Sequence, residues 1–371
     1  MAEAPLQFTH GDYTVGWICA LPTTELAAAE AMLDTKHPVL PAADPQDTNC
    51  YLLGSIGSHN VVIACLPAEM TGKVSAATVA KDMVRSFKAI RFGLMVGIGG
   101  GAPYYGVKEN SDVEGSEDED SEDEDDDTRD IRLGDVVISL HSKSTEAVVQ
   151  YDFGKSVQEE EFVHTGGKLN KPPNIVLGAV SVLQAKHVRQ GHQISELLSK
   201  MFSRYPRMAS KFQYPGSAND RLFKSNVVHG GGDSCKARCG PFNVNLVKRK
   251  ERDDSAPRLH YGTIGSADQV MEDAILRDRW ARKENIICFE TEAAGLMDSF
   301  PCIVIRGICN YADSHKNKIW QPYAAATAAA YAKELLLVIP GQAVKEIPPI
   351  EQSRDLFWDI YTQLYTHVGK T

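Results

Sequence analysis

Short apolar segments alternate with helical segments along most of the chain, and this alternation constrains the possible fold more than any other feature. Segments such as FGLMVG at 92–97 and CIVIRG at 302–307 are almost continuously apolar, which is typical of strands covered on both faces. Repeated alternation of strand and helix favours an α/β domain around a central sheet. We predict strands at 13–20, 61–66, 92–97, 135–140, 260–264, 286–289 and 302–307, and helices at 25–33, 73–87, 268–282 and 323–337.

The composition excludes several classes of protein. The apolar fraction of 43% is normal for a globular chain, and no apolar run reaches the roughly 18 residues of a membrane span. The first residues lack the basic region and apolar core of a signal peptide. Most of the eight cysteines lie in the apolar strand segments, a pattern of reduced, buried thiols. We therefore expect an intracellular protein, cytoplasmic or nuclear, that does not act at a membrane.

The net charge of −10 comes from one low-complexity segment. Residues 108–130 hold 14 Asp or Glu and two Lys or Arg, so the rest of the chain is close to neutral. A neutral body indicates no nucleic-acid partner. The segment itself contains almost no apolar residue, so we predict a disordered, dispensable insertion.

The pattern predicts one domain with additions. A tail at 1–12 precedes a domain at 13–340, which carries the acidic insertion and a polar, turn-rich elaboration at 190–257. Residues 341–371 read as a tail with a linker helix.

Polar clusters end two of the predicted strands. Glu290 and Glu292 follow the apolar run at 286–289, and a second apolar run at 302–309 ends at Asn310. Ligands of open α/β sheets bind beyond the carboxyl ends of strands. Ionised carboxylates only accept hydrogen bonds, so a close pair of them suits the hydroxyls of a ribose.

Together these segments resemble the nucleoside phosphorylase superfamily, which includes purine nucleoside phosphorylases, uridine phosphorylases and methylthioadenosine/S-adenosylhomocysteine nucleosidases. The resemblance is greatest to a fungal branch often fused to NACHT or repeat domains. It covers roughly 13–338, and each motif alone is weak. The motifs are, in chain order, WICALP at 17–22, TGKVSAA at 71–77, VGIGGGAP at 96–103, DIRLGDVV at 130–137, VQYDFGK at 149–155, HYGTIGSADQV at 260–270, FETEAAG at 289–295 and NYADSHKNK at 310–318.

The resemblance implies a fold, an activity and a set of partners. The family fold is a central mixed sheet, partly closed into a barrel and flanked by helices. The family reaction cleaves the N-glycosidic bond of a nucleoside, by phosphate or by water, and releases the base. It implies a purine nucleoside or nucleotide as ligand, no cofactor apart from inorganic phosphate as a possible co-substrate, and a homo-oligomer.

The resemblance also assigns residues to the sugar and the base. Glu292 matches the carboxylate that binds the ribose hydroxyls, and Glu290 binds there too or supports that site. Thr291 replaces the family's usual Met under the ribose. Val270 and Phe289 fall where the family contacts the base, although lone apolar residues are equally compatible with a core.

Two further positions concern the attacking group. Glu25 matches the glutamate that orients the nucleophilic water, but the spacing after Ala20 is one residue long, so Thr24 competes for the place. Gly99, Gly100 and Gly101 match the loop beside the phosphate or water. Glycines let backbone N–H groups approach an anion closely. Some phosphorylases carry a Ser in this loop, and the present chain does not.

Asn310 is the largest departure from the family. The fungal branch usually has an Asp there, which protonates the purine base, whereas an Asn only offers a hydrogen bond. Three interpretations are open: an introduced change that traps a ligand, a natural amide suited to 6-oxopurines as in trimeric purine nucleoside phosphorylases, and a natural binding domain without turnover.

Cations and possible metal ligands give weaker signals. His315, Lys316 and Lys318 follow Asn310, with Lys73 and Lys155 in other motifs, and would face phosphates if the ligand were a nucleotide. A second cluster, His229 with Cys235 and Cys239, indicates zinc only faintly because a second pair of ligands is missing nearby. We predict no metal.

Two function classes remain open. One is an enzyme that cleaves a purine nucleoside, or a nucleotide, by phosphorolysis or hydrolysis. The other is a module that binds nucleosides or nucleotides with little turnover. An interaction protein that acts through the acidic insertion has the least support.

Overall fold

The computed structural model shows the predicted α/β fold, a mixed sheet partly closed into a barrel and flanked by helices. It describes residues 8–105, 128–142, 144–158, 162–165, 169, 171–231, 235 and 239–352. The strands are β1 (Val15–Cys19), β2 (Thr35–Lys36), β3 (Tyr51–Ile56), β4 (His59–Cys65), β5 (Phe92–Gly101), β6 (Val136–Ser139), β7 (Val148–Gln150), β8 (Gly154–Lys155), β9 (Val163–His164), β10 (Leu259–Ser266), β11 (Ile286–Glu290) and β12 (Cys302–Asn310).

Helices flank this sheet. They are α1 (Ala27–Met32), α2 (Lys73–Ser86), α3 (Asn174–Gln190), α4 (Ile194–Arg204), α5 (Pro206–Phe212), α6 (Phe242–Asn245), α7 (Ala274–Lys283), α8 (Gln321–Val338) and α9 (Gly341–Glu346). Short 3₁₀ turns lie at His10–Asp12, Ser217–Asn219, Ala293–Gly295 and Lys318–Trp320, and a π-helical turn lies at Pro22–Leu26. No helix in the part of the chain that the structure describes is long and apolar enough to cross a membrane.

Five strands close into the barrel. Around it the order is β5, β12, β6, β10 and β11, and β11 pairs back with β5. β5 runs parallel to β12 and antiparallel to β11. On its other side β5 continues the sheet through β1, β4, β3 and β2. The carboxyl ends of β5 and β12 therefore lie side by side, where the polar clusters of the sequence meet.

Both faces of the sheet are covered, as the continuous apolar segments predict. Along β1, Trp17 packs into a core formed with α1, α3, α4 and α8, while Ile18 packs into a second core formed with α2. Because successive side chains of a strand point to opposite faces, neighbouring residues enter different cores.

Several elements differ from the prediction. The strand β3 and the helix α3 were not predicted, and the predicted helix at 268–282 begins only at Ala274, where Asp273 accepts hydrogen bonds from Ile275 N and Leu276 N as the N-cap. The elaboration at 190–257 contributes to the main core through α4. The buried residues of α4 are Ile194, Leu197, Leu198 and Met201, a helical repeat within a polar region.

The structure describes only parts of the predicted insertion and tails. Residues 1–7, 106–127 and 353–371 lie outside the described residues. Residues 128–130 were predicted to be disordered, and they are ordered. Arg129 exchanges backbone hydrogen bonds with Tyr104, of 2.7 and 3.1 Å. In the predicted tail, Ile350 is buried and donates its backbone N–H to Ile90.

Candidate active site

A buried arginine organises the candidate site. Arg306 lies in the middle of β12 and is 1% exposed. Its Nη2 donates to Oε2 of Glu290 and, at 3.3 Å, to Oε2 of Glu292. Nη1 donates to the carbonyl of Ile98 at 3.4 Å. A buried charge is tolerated only when it is paired and hydrogen-bonded, so this strand position requires the carboxylates.

Glu25 completes the carboxylate cluster. Its Oε2 accepts hydrogen bonds from the backbone of Ala20 at 2.6 Å and Leu21 at 3.0 Å, and its Oε1 accepts from Ile98 N at 2.8 Å. On Gly97 a Cβ would overlap both the Glu25 carboxylate and the Arg306 guanidinium. The absence of a side chain at Gly97 therefore lets the two charged groups approach each other across β5.

The extra residue before Glu25 is absorbed by a wide helical turn. Pro22–Leu26 is π-helical, and Leu26 N donates to Leu21 O at 3.0 Å, an i to i+5 bond. Single π turns often occur at functional sites. The turn points Glu25 into the cluster, while the buried hydroxyl of Thr24 has no hydrogen-bond partner among the residues that the structure describes. Glu25, and not Thr24, is therefore part of the cluster, and its role with the attacking water stays a prediction.

The end of β11 positions the other two carboxylates. Glu290 accepts hydrogen bonds from the backbone N–H groups of Glu292 and Ala293, which makes it a support for this turn as well as a partner of Arg306. Glu292 accepts from Gly72 N at 3.4 Å and from the Thr291 hydroxyl. Thr291 thus holds a neighbouring carboxylate, a role the usual Met could not perform.

Burial and the arginine act in opposite directions on these groups. Burial raises the pKa of Glu25 and exceeds the lowering by Arg306 and three backbone donors. Burial likewise raises the pKa of Glu292, which Arg306 opposes and the charge of Glu290 reinforces. For Arg306, burial alone would lower the pKa, but the surrounding carboxylates raise it. The carboxylates therefore keep Arg306 charged, while burial raises the pKa of both Glu25 and Glu292.

The glycine segment is a strand and not the predicted loop. β5 continues to Gly101, and Gly100 pairs with both Phe289 and Asn310. A Cβ on Gly100 would lie 2.8 Å from Oδ1 of Asn310, and one on Gly101 would press on Ile308. These glycines give room for neighbouring strands and side chains. The role in binding phosphate or water predicted for Gly99, Gly100 and Gly101 stays a prediction.

Asn310 ends β12 with its amide held in one orientation. Its Oδ1 accepts a hydrogen bond from Ala312 N at 2.8 Å, and its Nδ2 lies 3.2 Å from Cys309 Sγ. Ala312 has a positive φ of 52°, which turns the chain sharply after the strand. With Oδ1 engaged and sulfur a weak acceptor, Nδ2 keeps donor capacity for a ligand.

A cavity of about 330 Å³ brings most of the predicted residues together. Lys316, Lys318 and Met271 also line it. Glu25 and Glu292 lie in the buried cluster, joined to the cavity through Arg306 and Glu290, and Gly101 is not part of the lining. The predicted residues that line the cavity are Gly99, Gly100, Val270, Phe289, Glu290, Thr291 and Asn310.

The two predicted base contacts differ in exposure. Val270, in the loop before α7, is 59% exposed, while Phe289 is 4% exposed and packs edge-on against Tyr151. A larger cavity of about 600 Å³ lies beyond this loop and shares Val270 and Met271. Its lining includes none of the carboxylate cluster, so we assign the site to the smaller cavity.

Only some of the predicted cationic residues lie at the cavity. Lys316 pairs with Glu272 at 3.2 Å at the edge of the cavity. Lys73 is held by Asp152 at 2.8 Å, and Lys155 is exposed on β8. These two lysines do not line the cavity.

Arg306 was missed by sequence reasoning. The signal was present, because a charged residue within the apolar run at 302–309 must be buried and therefore paired. Glu290 and Glu292, at the end of the preceding strand, were the available partners.

Comparisons with known proteins agree with this architecture. No family model matches the chain. The chain is 44% identical over 335 residues to a nucleotide-binding leucine-rich repeat (NLR)-like protein of Hyaloscypha variabilis, and the match covers 90% of this chain and 30% of that protein. This chain therefore spans less than a third of the curated relative it matches.

Solved structures give the class of fold. Futalosine hydrolase of Helicobacter pylori superposes with a TM-score of 0.51 and 14% identity, covering 88% of this chain and 99% of that one. The 5′-methylthioadenosine/S-adenosylhomocysteine nucleosidase of the same bacterium gives 0.51 and 13%, covering 88% and 98%. The corresponding Neisseria meningitidis enzyme, bound to methylthio-immucillin-A, gives 0.50 and 15%, covering 87% and 98%.

The chain thus has the fold of the nucleoside phosphorylase superfamily, and the resemblance predicted from its motifs is confirmed. Its NLR-like relative, a much longer fungal protein, fits the predicted fused branch.

Proposed function

We propose that the chain is a nucleosidase that hydrolyses the N-glycosidic bond of a purine nucleoside. The observation that carries this proposal is the buried cluster of Glu25, Glu290, Glu292 and Arg306, which reaches the cavity that contains Asn310 through Glu290. The fold neighbours support it, since they are nucleosidases and a futalosine hydrolase.

The carboxylates supply acceptors for the sugar. Glu292, supported by Glu290 and Arg306, accepts hydrogen bonds from the ribose hydroxyls. As the bond to the base breaks, the ribose becomes cationic, and a fixed negative group nearby stabilises that charge without reorganising. Phe289 and Val270 flank the base on the other side of the cavity.

The charge of the cluster favours water over phosphate as the nucleophile. Three carboxylates surround one guanidinium, so the cluster stays negative even with one carboxylate protonated. A phosphate dianion would be repelled there. Glu25, whose pKa burial raises, suits the role of a base that accepts a proton from water. Hydrolysis therefore has more support than phosphorolysis with inorganic phosphate as co-substrate.

The leaving base is assisted by a hydrogen bond. Nδ2 of Asn310 donates to the purine N7, and Oδ1 stays bound to Ala312 N. This assistance is weaker than protonation, because an amide carries no transferable proton at neutral pH.

The test is base release from inosine, guanosine and adenosine, each with and without inorganic phosphate. We expect free ribose as the sugar product and a rate that does not depend on phosphate. Ribose 1-phosphate formed only when phosphate is present would instead identify a phosphorylase.

A second candidate function is a sensing module that binds the nucleoside with little turnover. The amide at Asn310 supports it, because an amide cannot protonate the leaving base. The NLR-like relative, of which this chain spans 30%, is consistent with a signalling role. Saturable nucleoside binding measured by calorimetry, without base release from any purine nucleoside, would select this candidate.

Both candidate functions are compatible with a purine nucleotide as the ligand. Lys316 and Lys318 line the cavity, and they would contact phosphate groups. Comparing adenosine with its 5′-phosphates in the same assays decides between these ligands. The predicted homo-oligomer stays a prediction, which light scattering of the purified chain tests.

A further inference from the structure

Two segments that are far apart in sequence meet beside the candidate site. The loop from the elaboration carries His229, Cys235 and Cys239, and the loop after β12 carries His315. The backbone N–H of His229 donates to the Ser314 hydroxyl at 3.0 Å. The fold thereby brings a second histidine, His315, close to the cluster of His229, Cys235 and Cys239 that the sequence contains.

The ligand-forming atoms of these residues are close together. Nδ1 of His229 lies 3.1 Å from Cys239 Sγ and 3.6 Å from Cys235 Sγ. The ligand atoms of His229, Cys239 and His315 all lie within 4.8 Å of one another. In a tetrahedral zinc site with Zn–S of about 2.3 Å and Zn–N of about 2.0 Å, neighbouring S and N atoms are roughly 3.5 Å apart.

His315 is buried without a hydrogen bond to either ring nitrogen. Its side chain is 2% exposed, and both Nδ1 and Nε2 lack a hydrogen-bond partner among the described residues. Its ring stacks on Phe223 with centroids 3.7 Å apart. A buried imidazole without partners costs free energy, and a metal ion would supply what the protein does not.

A carboxylate stands behind this histidine. Oδ2 of Asp313 is buried, accepts no hydrogen bond from the part of the chain that the structure describes, and lies 3.9 Å from Nδ1 of His315. Metal-bound histidines commonly donate their other ring N–H to a carboxylate. With Nδ1 of His315 turned to Asp313 in this way, Nε2 is the nitrogen left for a metal.

We propose that His229, Cys235, Cys239 and His315 form a structural zinc site. Two thiolates and two imidazoles are a ligand set that selects zinc and fills its four positions, so no position stays open for catalysis. On binding, each thiol loses its proton to solvent, and the two thiolates neutralise the dication. The sequence predicts no metal because His315 lies 76 residues beyond Cys239, so local spacing does not link it to the cysteines.

The site has a direct consequence for the neighbouring cavity. His315 follows Asn310 by five residues, and a cavity of about 340 Å³ is lined by His229, Cys235 and His315 at one side and Asn310 at the other. Zinc would tether the loop after β12 to the elaboration and hold Asn310 and Lys316 in place. This role does not depend on which reaction the chain performs.

The first measurement is the metal content of the full chain, purified without chelator, by inductively coupled plasma mass spectrometry. We expect about one zinc per chain. In the variant Cys235→Ser/Cys239→Ser, which removes two of the four ligands, the zinc content per chain should fall by about tenfold or more. Loss of a mere supporting hydrogen bond already lowers the affinity of a metal site by about 10–100-fold. Cys50→Ser is the matched control, because Cys50 is exposed and outside the cluster, and it should keep full zinc.

A second measurement does not depend on whether the double variant folds. Cobalt(II) added to the chelator-treated wild-type chain should give a thiolate-to-cobalt charge-transfer band and the visible bands of a tetrahedral site. Full zinc in the double variant would overturn the proposal. So would a zinc-free wild-type chain that gives no charge-transfer band with cobalt, including the case in which titration shows the two cysteines joined in a disulfide.

Discussion

At the scale of single residues, the proposed function makes Asn310 the residue that assists the leaving base. Its Nδ2 can donate a hydrogen bond, but a general acid in this place contributes about 10²–10⁴ in rate. We therefore expect Asn310→Asp to raise base release from adenosine by about that factor, measured by chromatography of the free base. In Asn310→Ala, which removes the donor and the bond to Ala312 N, release should fall.

Asn310 also bears on the choice of base. If the amide is adapted to 6-oxopurines, the unmodified chain should cleave inosine or guanosine faster than adenosine, and Asn310→Asp should reverse the order. Equal rates for the chain and for both variants would show that Asn310 does not contact the base.

In the proposed function, Glu292 is the residue that binds the sugar. Glu292→Gln keeps the shape of the side chain but removes the charge that faces Arg306 and the ribose. A hydrogen bond to a charged group is worth about 1.5–3 kcal/mol, so we expect kcat/KM to fall by about 10–100-fold. A nucleoside without 2′ and 3′ hydroxyls should show little difference between the two proteins. An equal loss with this analogue would mean that Glu292 acts without touching the hydroxyls.

At the scale of elements, two irregular features make the cluster possible. The π-helical turn at Pro22–Leu26 admits one extra residue and still aims Glu25 inward. The glycine-rich end of β5 lets Glu25, Arg306 and Asn310 pack against the strand. Both features serve close approach of charged or polar groups, and neither is needed by the apolar cores.

Gly97→Ala tests this close approach. The new methyl group would overlap the carboxylate of Glu25 and the guanidinium of Arg306, and overpacking of a buried site costs about 1–3 kcal/mol. We expect a lower midpoint in urea unfolding and a large loss of base release. Gly178→Ala in α3 is the control, because its Cβ would meet open space and a helical Ala is favoured over Gly. Similar behaviour of the two variants would refute the overlap.

At the scale of the whole molecule, an ion-pair network ties the end of the acidic insertion to the elaboration. Burial raises the pKa of Asp130, but Arg132, Tyr105 and Arg252 outweigh it and lower the pKa to about 2. Because the folded pKa lies below the ordinary value of 3.8, the stabilisation is present above that pH and is lost as the pH falls toward about 2.

Asp130→Asn should therefore be less stable than the unmodified chain near neutral pH, and the difference should shrink between about pH 4 and 2. Urea unfolding at several pH values measures this. A difference that stays constant across the range would show that Asp130 stabilises by packing rather than by charge.

The acidic segment should be replaceable. Tyr104 and Arg129 are joined by two backbone hydrogen bonds, so a short Gly/Ser linker can replace residues 106–127 without moving either end. We expect the melting temperature and nucleoside affinity to stay close to those of the full chain. A large fall in melting temperature would show that the segment contacts the folded part.

The sequence by itself determined most strands of the barrel, the helices α1, α2, α7 and α8, and most of the residues that line the candidate cavity. Continuous apolar segments specify strands covered on both faces, and polar residues at their ends mark the site, since local pattern and burial suffice for both. Glu290 and Asn310 line one cavity for this reason.

Only the tertiary structure decided what depends on contacts between distant segments. It showed that the glycines extend a strand, because Gly100 pairs with strands nearly 190 and more than 200 residues away. It also assigned partners to Arg306 and brought His315 to the cysteines. Such contacts depend on how the barrel closes and how loops cross its end, and no local pattern encodes those distances.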